Sequence, residues 1–531
     1  MYFNWQTMPC KAPEGLDNTT AEVVIVGAGP VGLATALGLA RHGVRSVVLE
    51  ARDTISQGSR ALAMSRRSMQ ILDHLGVGDR VMEKALTWSA GWTFYQRELV
   101  HSMVIAPPPH EKHGQTNLQQ CWMEQLLLDE LLATGFCDVR YQHRVTQIDA
   151  NDDAVHLAVA TPLGDYTLDA PWFVAADGPR GITRRCVGID YEGTSYSQRF
   201  VINDILCKQP LPEGRRLFFS PPYLPGKTVL MHKAPFDMWR LDFQLMDDQD
   251  AETEMQPEQV HARIRAHFEL MGIEPDYELV LTSVYKANAV SLPSYNRGRV
   301  LFAGDAAHQV PIFGGRGVNH GYEDAHNLAW KLARVVKGES DAQLLDSYTQ
   351  ERRGALLATL AELTRTTIFI TTPSPGIALV REAVLSLSLS ENFLGNLFDP
   401  YATPPHDCTD SPLNTPDDGA FGPACRPGAL VPDAVLNPAG ERLYDQLGTR
   451  FALIVFTDGA AHFDAERFAE PLQVLHLSAD STLGRLFDAR PGSCYLIRPD
   501  HRVAARWREA TPEQVDAALG AAACARTEEM Q

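Results

Sequence analysis

An apolar run at residues 23–26 breaks at Gly27 into a Gly-X-Gly-X-X-Gly turn (Gly27, Gly29, Gly32), passes into helical spacing, and ends in a second apolar run closed by Glu50. Strand, turn, helix, strand and terminal acid are the parts of a nucleotide-binding βαβ unit in their working order. The stretch from Val23 to Ala40 carries no charge, but glycines and Pro30 break it and Arg41 and His42 follow, which argues against a membrane span. Helical spacing returns after residue 65 (Met69, Leu72, Leu75, with Gly76 as a stop) and over residues 122–134. Residues 92–105 alternate as strands do, and an antiparallel meander is expected between residues 139 and 170. The unalternating run WFVAADG suits a strand buried on both faces, so the chain returns there to the parallel sheet.

Residues 190–290 are mostly strand-like, with one helix expected over residues 257–271. A strand, RVLFAGD, follows, then a glycine-rich loop, then an amphipathic helix from near Val318 to Gly338. Residues 341–398 read as helical, interrupted by TTPSPG. A proline-rich stretch leads into alternating strands and helices. The predicted fold class is α/β: a Rossmann-like nucleotide domain (residues 21–189 and 286–400, after a leader at 1–20), an inserted antiparallel-sheet substrate domain (190–285), a linker (401–425) and a small C-terminal α/β domain (426–531). A pocket at the junction of the first two is the natural place for a substrate.

Composition narrows the function. A formal charge of −19 with no dense Lys/Arg block excludes a nucleic-acid partner. The nine cysteines lie far apart without a C-x-x-C pair, and the first residues lack a signal-peptide pattern, so reduced thiols in a cytoplasm are expected. No His/Cys/Asp cluster has metal-ligand spacing, and none is expected to hold a metal.

The glycine turn needs a pyrophosphate: Gly27 allows the tight turn, Gly29 lets backbone approach the phosphates, Gly32 brings helix against strand, and Pro30 opens the helix. Glu50 stands where a carboxylate accepts from a ribose hydroxyl and repels a 2′-phosphate, which argues against NADP at this site. FAD and NAD share that ADP half, and this stretch alone does not choose between them. Asp305 ends a strand at the ligand-binding edge of the sheet, where its carboxylate can accept from a ribityl hydroxyl. Gly314, Gly315 and Gly317 let backbone lie against a flat ring. Val318 and Asn319 open a helix whose positive end would stabilise a reduced, anionic ring.

Three signatures stand in order: GAGPVG at 27–32, ADGPRGITRR at 176–185 and RVLFAGDAAHQVPIFGGRGVNHGYEDAHNLAWKL at 299–332. The set resembles the class A flavin-dependent aromatic hydroxylases, the group of para-hydroxybenzoate, phenol and 3-(3-hydroxyphenyl)propionate hydroxylases. The tail, with RPGALVPDAVL and YLIRPDHRVAARW, resembles the thioredoxin-like C-terminal domain of the larger members. The resemblance implies FAD as cofactor, NADH or NADPH as transient electron donor, and O2 and a small phenolic aromatic as substrates. It implies oxygen transfer through a C4a-hydroperoxyflavin; no membrane partner is expected, and a homodimer is possible.

Residue by residue, the resemblance places Asp177 in a motif serving FAD and nicotinamide, Arg60 near the FAD, and Gln120 in a similar duty at a helix start. Two departures stand out. Gly181 replaces the usual serine of the second motif, and Pro311 is followed by Ile312 and Phe313 where a second proline is common. Pro311 and Phe313 then form the wall beside the substrate. Phenol-facing candidates from the middle sheet are Tyr223, His232, Arg240, Asp242 and Tyr285, with Arg240 and Asp242 on one face of a strand and able to pair. A halogenase or epoxidase shares the FAD fold, but the Trp-X-Trp-X-Ile-Pro stretch of such halogenases is absent. A non-catalytic flavin-binding protein is the remaining rival, and the full ribityl and pyrimidine motif set argues against it.

Overall fold

The structure is a computed structural model describing residues 3–16, 21–58, 61–209, 211–246, 248–311, 313, 315–391, 405–417, 419–458, 468 and 470–525. Its nucleotide sheet runs in the order Asn296–Arg297, Val300–Phe302, Trp172–Ala175, Val23–Val26, Ser46–Glu50, Cys137–Tyr141. Every neighbouring pair is parallel except the first. Val23–Val26 and Trp172–Ala175 are buried along their whole length, which is why they read as unbroken apolar runs. Gly27 has φ +104°, and a Cβ there would stand 2.3 Å from the Ala176 oxygen; a Cβ on Gly32 would stand 1.9 Å from the Gly27 oxygen. Strand, helix Pro30–Arg41 and the Asp177 turn thus meet at a distance only glycine allows.

The second sheet has eight strands in the order His308–Gln309, Glu278–Ser291, Glu192–Leu206, Met238–Gln244, Thr228–Lys233, Arg215–Phe219, Ala90–Tyr95, Glu98–Val104. Two features correct the expected boundaries. The hairpin of Ala90–Tyr95 and Glu98–Val104 belongs to this sheet, and it joins through a parallel pairing with Arg215–Phe219 in an otherwise antiparallel array. At the other edge, His308–Gln309 comes from the loop after Asp305, so the sheet is tied directly to the nucleotide domain. The outer face carries Phe218, Met231, Trp239, Leu241 and Phe243 under helix Pro257–Leu270. The inner face carries Phe200, Leu217, Phe219 and Leu230, packed with Phe313 and with Ile370 and Leu385 of helices Asp346–Thr371 and Pro375–Leu387. Those two helices part at Thr372, which is left-handed, within the TTPSPG interruption.

The meander forms its own three-stranded antiparallel sheet. The C-terminal sheet runs Gln473–Ser478, Ala452–Thr457, Cys494–Ile497, Val503–Trp507, with the first pair parallel and the rest antiparallel. It is fastened to helix Gly317–Val336 and to helix Asp346–Thr371 by a buried ionic cluster. Arg498 donates to Glu351 and Asp500, Lys331 Nζ lies 2.8 Å from Glu351, and Asn327 donates to Asp500 at 2.8 Å. Among the described residues no single helix is long and apolar enough to cross a membrane.

Candidate active site

Both helices that point at the expected cofactor begin without a side-chain cap. Pro30–Arg41 starts after Gly29 and Gly317–Val336 after Arg316, each with no side-chain hydrogen bond to its first turn. Gly27, Gly29 and Pro30 keep open surface, and a Cβ on Gly29 would meet nothing within 4 Å. An uncapped helix start beside open, glycine-lined space fits the pyrophosphate of FAD.

Glu50 closes its strand and accepts from Ala28 N–H at 2.9 Å. Its carboxylate also takes the Arg52 backbone N–H and guanidinium at 2.9–3.0 Å. Burial pushes this carboxyl up, but the bonds and charge of Arg52 outweigh it and hold the group below the usual range. Glu50 is thus a fixed anion, and Arg52, which the sequence reading passed over, stands beside it as a donor. Gln120 opens helix Gln120–Thr134 and donates to Ser56 and Glu124, bracing the loop before residue 60. Arg60 and Gly314, together with Ile312, lie outside the described residues.

Asp177 accepts from the backbone N–H and hydroxyl of Thr183 at 3.1 and 2.8 Å. A Cβ on Gly181 would stand 2.0 Å from its Cγ. The missing serine therefore has a local reason: the Asp177 carboxyl fills the space a side chain at 181 would take. Asp305 lies in the turn Gly304–Ala306, whose backbone is held by Tyr191 Oη donating to Asp305 O at 2.7 Å.

Behind this turn is a support that was not singled out in the sequence, although Gly304, His308 and Asp324 lie inside the third motif and only Arg352 lies beyond it. Asp324 accepts from Gly304 N–H, from His308 at 2.7 Å and from Arg352 at 2.9 Å. Burial would raise the Asp324 carboxyl, and His308 and Arg352 hold it far below its ordinary value instead. Asn319 accepts from Ser65 N–H and Ser68 Oγ and donates to Ala63 O and Gly315 O. The side chain expected to meet the flavin thus pins the glycine loop to the segment after residue 60. Gly315, Gly317 and Val318, all partly open, are left to face a ring with backbone.

The phenol-facing candidates separate by face. Tyr223 is a correction: it lies on the outer face, hydrogen-bonded to His267 Nδ1 at 2.8 Å beneath helix Pro257–Leu270. The turn after Arg215–Phe219 carries it across the sheet, away from the nucleotide domain. His232 and Arg240 pair in register on the inner face. Arg240 does not pair with Asp242 as the strand parity suggested; it forms a two-pronged bond to Asp204 at 2.8 and 2.9 Å from the neighbouring strand. Arg215, opposite His232, completes the row and was missed because nothing in its own strand marks it. Burial, then Arg215 and Arg240, hold His232 far below its ordinary pKa, so it is a neutral imidazole. Tyr285 spends its hydroxyl on Val310 O at 2.8 Å, and so fixes the stretch that leads to Pro311. Pro311 is buried, and Phe313 is fully buried, edge-on to Phe200 at 5.4 Å.

His74, His326 and His501 are close enough together to hold a metal ion. Arg67, which can only donate, lies 3.1 Å from His326 Nδ1. His326 must accept there and carry its proton on Nε2, 2.7 Å from His74 Nδ1. His326 and His74 are thus joined by a hydrogen bond, while both ring nitrogens of His501 and Nε2 of His74 are buried without a partner among the described residues.

A nucleotide βαβ unit, an Asp305 turn, a glycine loop under an uncapped helix and an overlying sheet with an aromatic and charged inner face define a flavin-dependent oxygenase. The model of the FAD binding domain family matches residues 20–362. The chain belongs to that family and is a class A FAD-dependent aromatic hydroxylase. It is 29% identical to a 3-(3-hydroxy-phenyl)propionate/3-hydroxycinnamic acid hydroxylase of Mycolicibacterium smegmatis, over 91% of this chain and 90% of the relative. A protein of the same name from Klebsiella pneumoniae is 32% identical over 63% of this chain and 59% of its own length. Among solved structures, aklavinone-11 hydroxylase in complex with FAD and aklavinone superposes with a TM-score of 0.78 at 25% identity, covering 96% of this chain and 99% of that one. The flavin-dependent monooxygenase PieE gives 0.80 at 22% identity, covering 95% and 99%, a likeness of fold.

Proposed function

We propose that the protein hydroxylates a single-ring phenol bearing a carboxylate side chain, in the cytoplasm and as a homodimer. The overall balance is one phenol, one O2, one NAD(P)H and one proton giving the ring-hydroxylated product, NAD(P)+ and water. FAD supplies the redox chemistry, passing electrons from the nicotinamide to O2.

The observation that carries the reading is the inner face of the eight-stranded sheet. There Phe200, Leu217, Leu230 and Phe313 form an apolar wall interrupted by Arg215, His232, Arg240, Asp204 and Asp242. An apolar wall orients a ring and keeps water from the reacting oxygen. A few buried charged groups set in it fix the ring's polar substituents. The relatives named for phenylpropionate and cinnamic acid substrates support the carboxylate. The free thiols support a reducing compartment, and exposed Leu379, Val380 and Leu387 on helix Pro375–Leu387 support a paired surface.

The test is NAD(P)H consumption and product analysis with the purified holoenzyme. 3-(3-Hydroxyphenyl)propionate and related acids should stimulate consumption and yield a hydroxylated product. Equal rates with neutral phenols and naphthols would remove the carboxylate from the reading, and no product from any of them would remove the reading itself.

A further inference from the structure

Asp242 stands out from every other acid on the inner face. It is 5% exposed, and its Oδ1 is buried with no hydrogen-bond partner among the described residues. A buried carboxyl oxygen without a partner is costly, and a fold that keeps one needs a reason for it. The strand register sets Asp242 between Ile202 and Leu230, one row from the Arg240–Asp204 pair and one row from Phe200, which meets Phe313. The neighbouring acid, Asp204, is fully used by Arg240. We infer that Asp242 is the group that receives the phenolic proton of the substrate. This rests on the hydroxylase reading above.

The proton balance is simple. The substrate O–H bond breaks, an O–H bond forms on Asp242, and the electron pair left on the phenolic oxygen flows into the ring, making its ortho and para carbons better nucleophiles toward the incoming oxygen atom. The proton returns to water when product leaves. Charged and titratable groups facing this site are Arg240 on its own strand, Asp204 and His232 on the two adjoining strands, and Arg215 and Tyr285 one strand further out on either side. Burial lifts the Asp242 carboxyl to about 7, with Asp204 adding to the rise and Arg240 and Arg215 opposing it. A proton acceptor works best when its pKa lies near the working pH.

The experiment compares wild type, Asp242→Asn and Asp242→Glu as FAD-loaded enzymes, with flavin absorbance confirming that each is folded and loaded. In wild type the hydroxylation rate rises with pH through about 7 as the carboxylate forms. In Asp242→Asn that limb disappears and product formation falls about a hundredfold or more, while NAD(P)H still reduces the flavin. Asp242→Glu restores a limb, at a reduced rate. Product from wild type together with an unchanged rate and limb in Asp242→Asn overturns this assignment alone. No product from wild type overturns the hydroxylase reading and the assignment with it.

Discussion

At the scale of single residues, the inner face holds stored cost. Asp242 has a folded pKa raised from 3.8 to about 7, so its contribution favours the folded state fully below pH 3.8 and is lost as pH rises through about 7. Asp242→Asn removes that loss. The variant should match wild type in stability near pH 4 and exceed it at pH 8 by at most on the order of 4 kcal/mol. Thermal unfolding at the two pH values measures this, and an equal shift at both contradicts the buried-acid account. A stabilising change that destroys function is the mark of a site residue. The sequence showed that acids and bases of this strand share a face, because parity along a strand is local. It did not show that Arg240 would choose Asp204, since that depends on the register of two strands far apart in the chain. Tyr223 was misplaced for a related reason: it lies in a turn, where no alternation fixes the face.

At the scale of elements, the cofactor half was legible and the substrate half only in outline. Gly27, Gly29, Gly32 and Glu50 sit within one continuous motif whose spacing is set by a single turn and helix. The Asp305 turn and the glycine loop were equally local, but their braces were not: Asp324 and His308 stand in the same signature, yet their contact depends on Arg352 and on how the helix folds back on the turn. The hairpin of Ala90–Tyr95 and Glu98–Val104 was recognisable as strands, but its partner, Arg215–Phe219, lies over a hundred residues on, and a parallel pairing leaves no turn signal. Tyr285 Oη, on the strand Glu278–Ser291, donates to Val310 O at 2.8 Å and so holds the stretch Val310–Pro311. Tyr285→Phe should cost about 1 kcal/mol in stability and loosen the wall beside the ring. The expected result is more NAD(P)H consumed per product formed, with FAD retention unchanged. An unaltered coupling ratio would show that this bond does not shape the reacting space.

At the scale of the whole molecule, the C-terminal domain is part of the enzyme's core rather than an appendage. Helix Gly317–Val336 begins at the glycine loop expected to meet the flavin and fixes its far half through Asn327 and Lys331 in the cluster with Glu351, Arg498 and Asp500. Removing one partner of a buried ion pair leaves the others uncompensated. Arg498→Ala should therefore cost about 3–5 kcal/mol and weaken FAD retention at a distance, read by unfolding and by flavin absorbance after gel filtration. Loss of stability with normal retention would mean the cluster holds only the C-terminal domain. The composition shift at the proline-rich stretch announced a separate domain. Nothing in it announced the cluster, whose members come from three segments and meet only after folding.

The reaction to be tested is transfer of one atom of O2 to a phenolic ring on the inner face of the sheet. The most direct test supplies the FAD-loaded enzyme with NAD(P)H, 3-(3-hydroxyphenyl)propionate and isotopically labelled O2, and weighs the product by mass spectrometry. A hydroxylated product carrying one labelled oxygen atom, formed in step with NAD(P)H consumption, is expected. A product without label, or NAD(P)H consumption that yields only hydrogen peroxide with every phenolic acid offered, would contradict it.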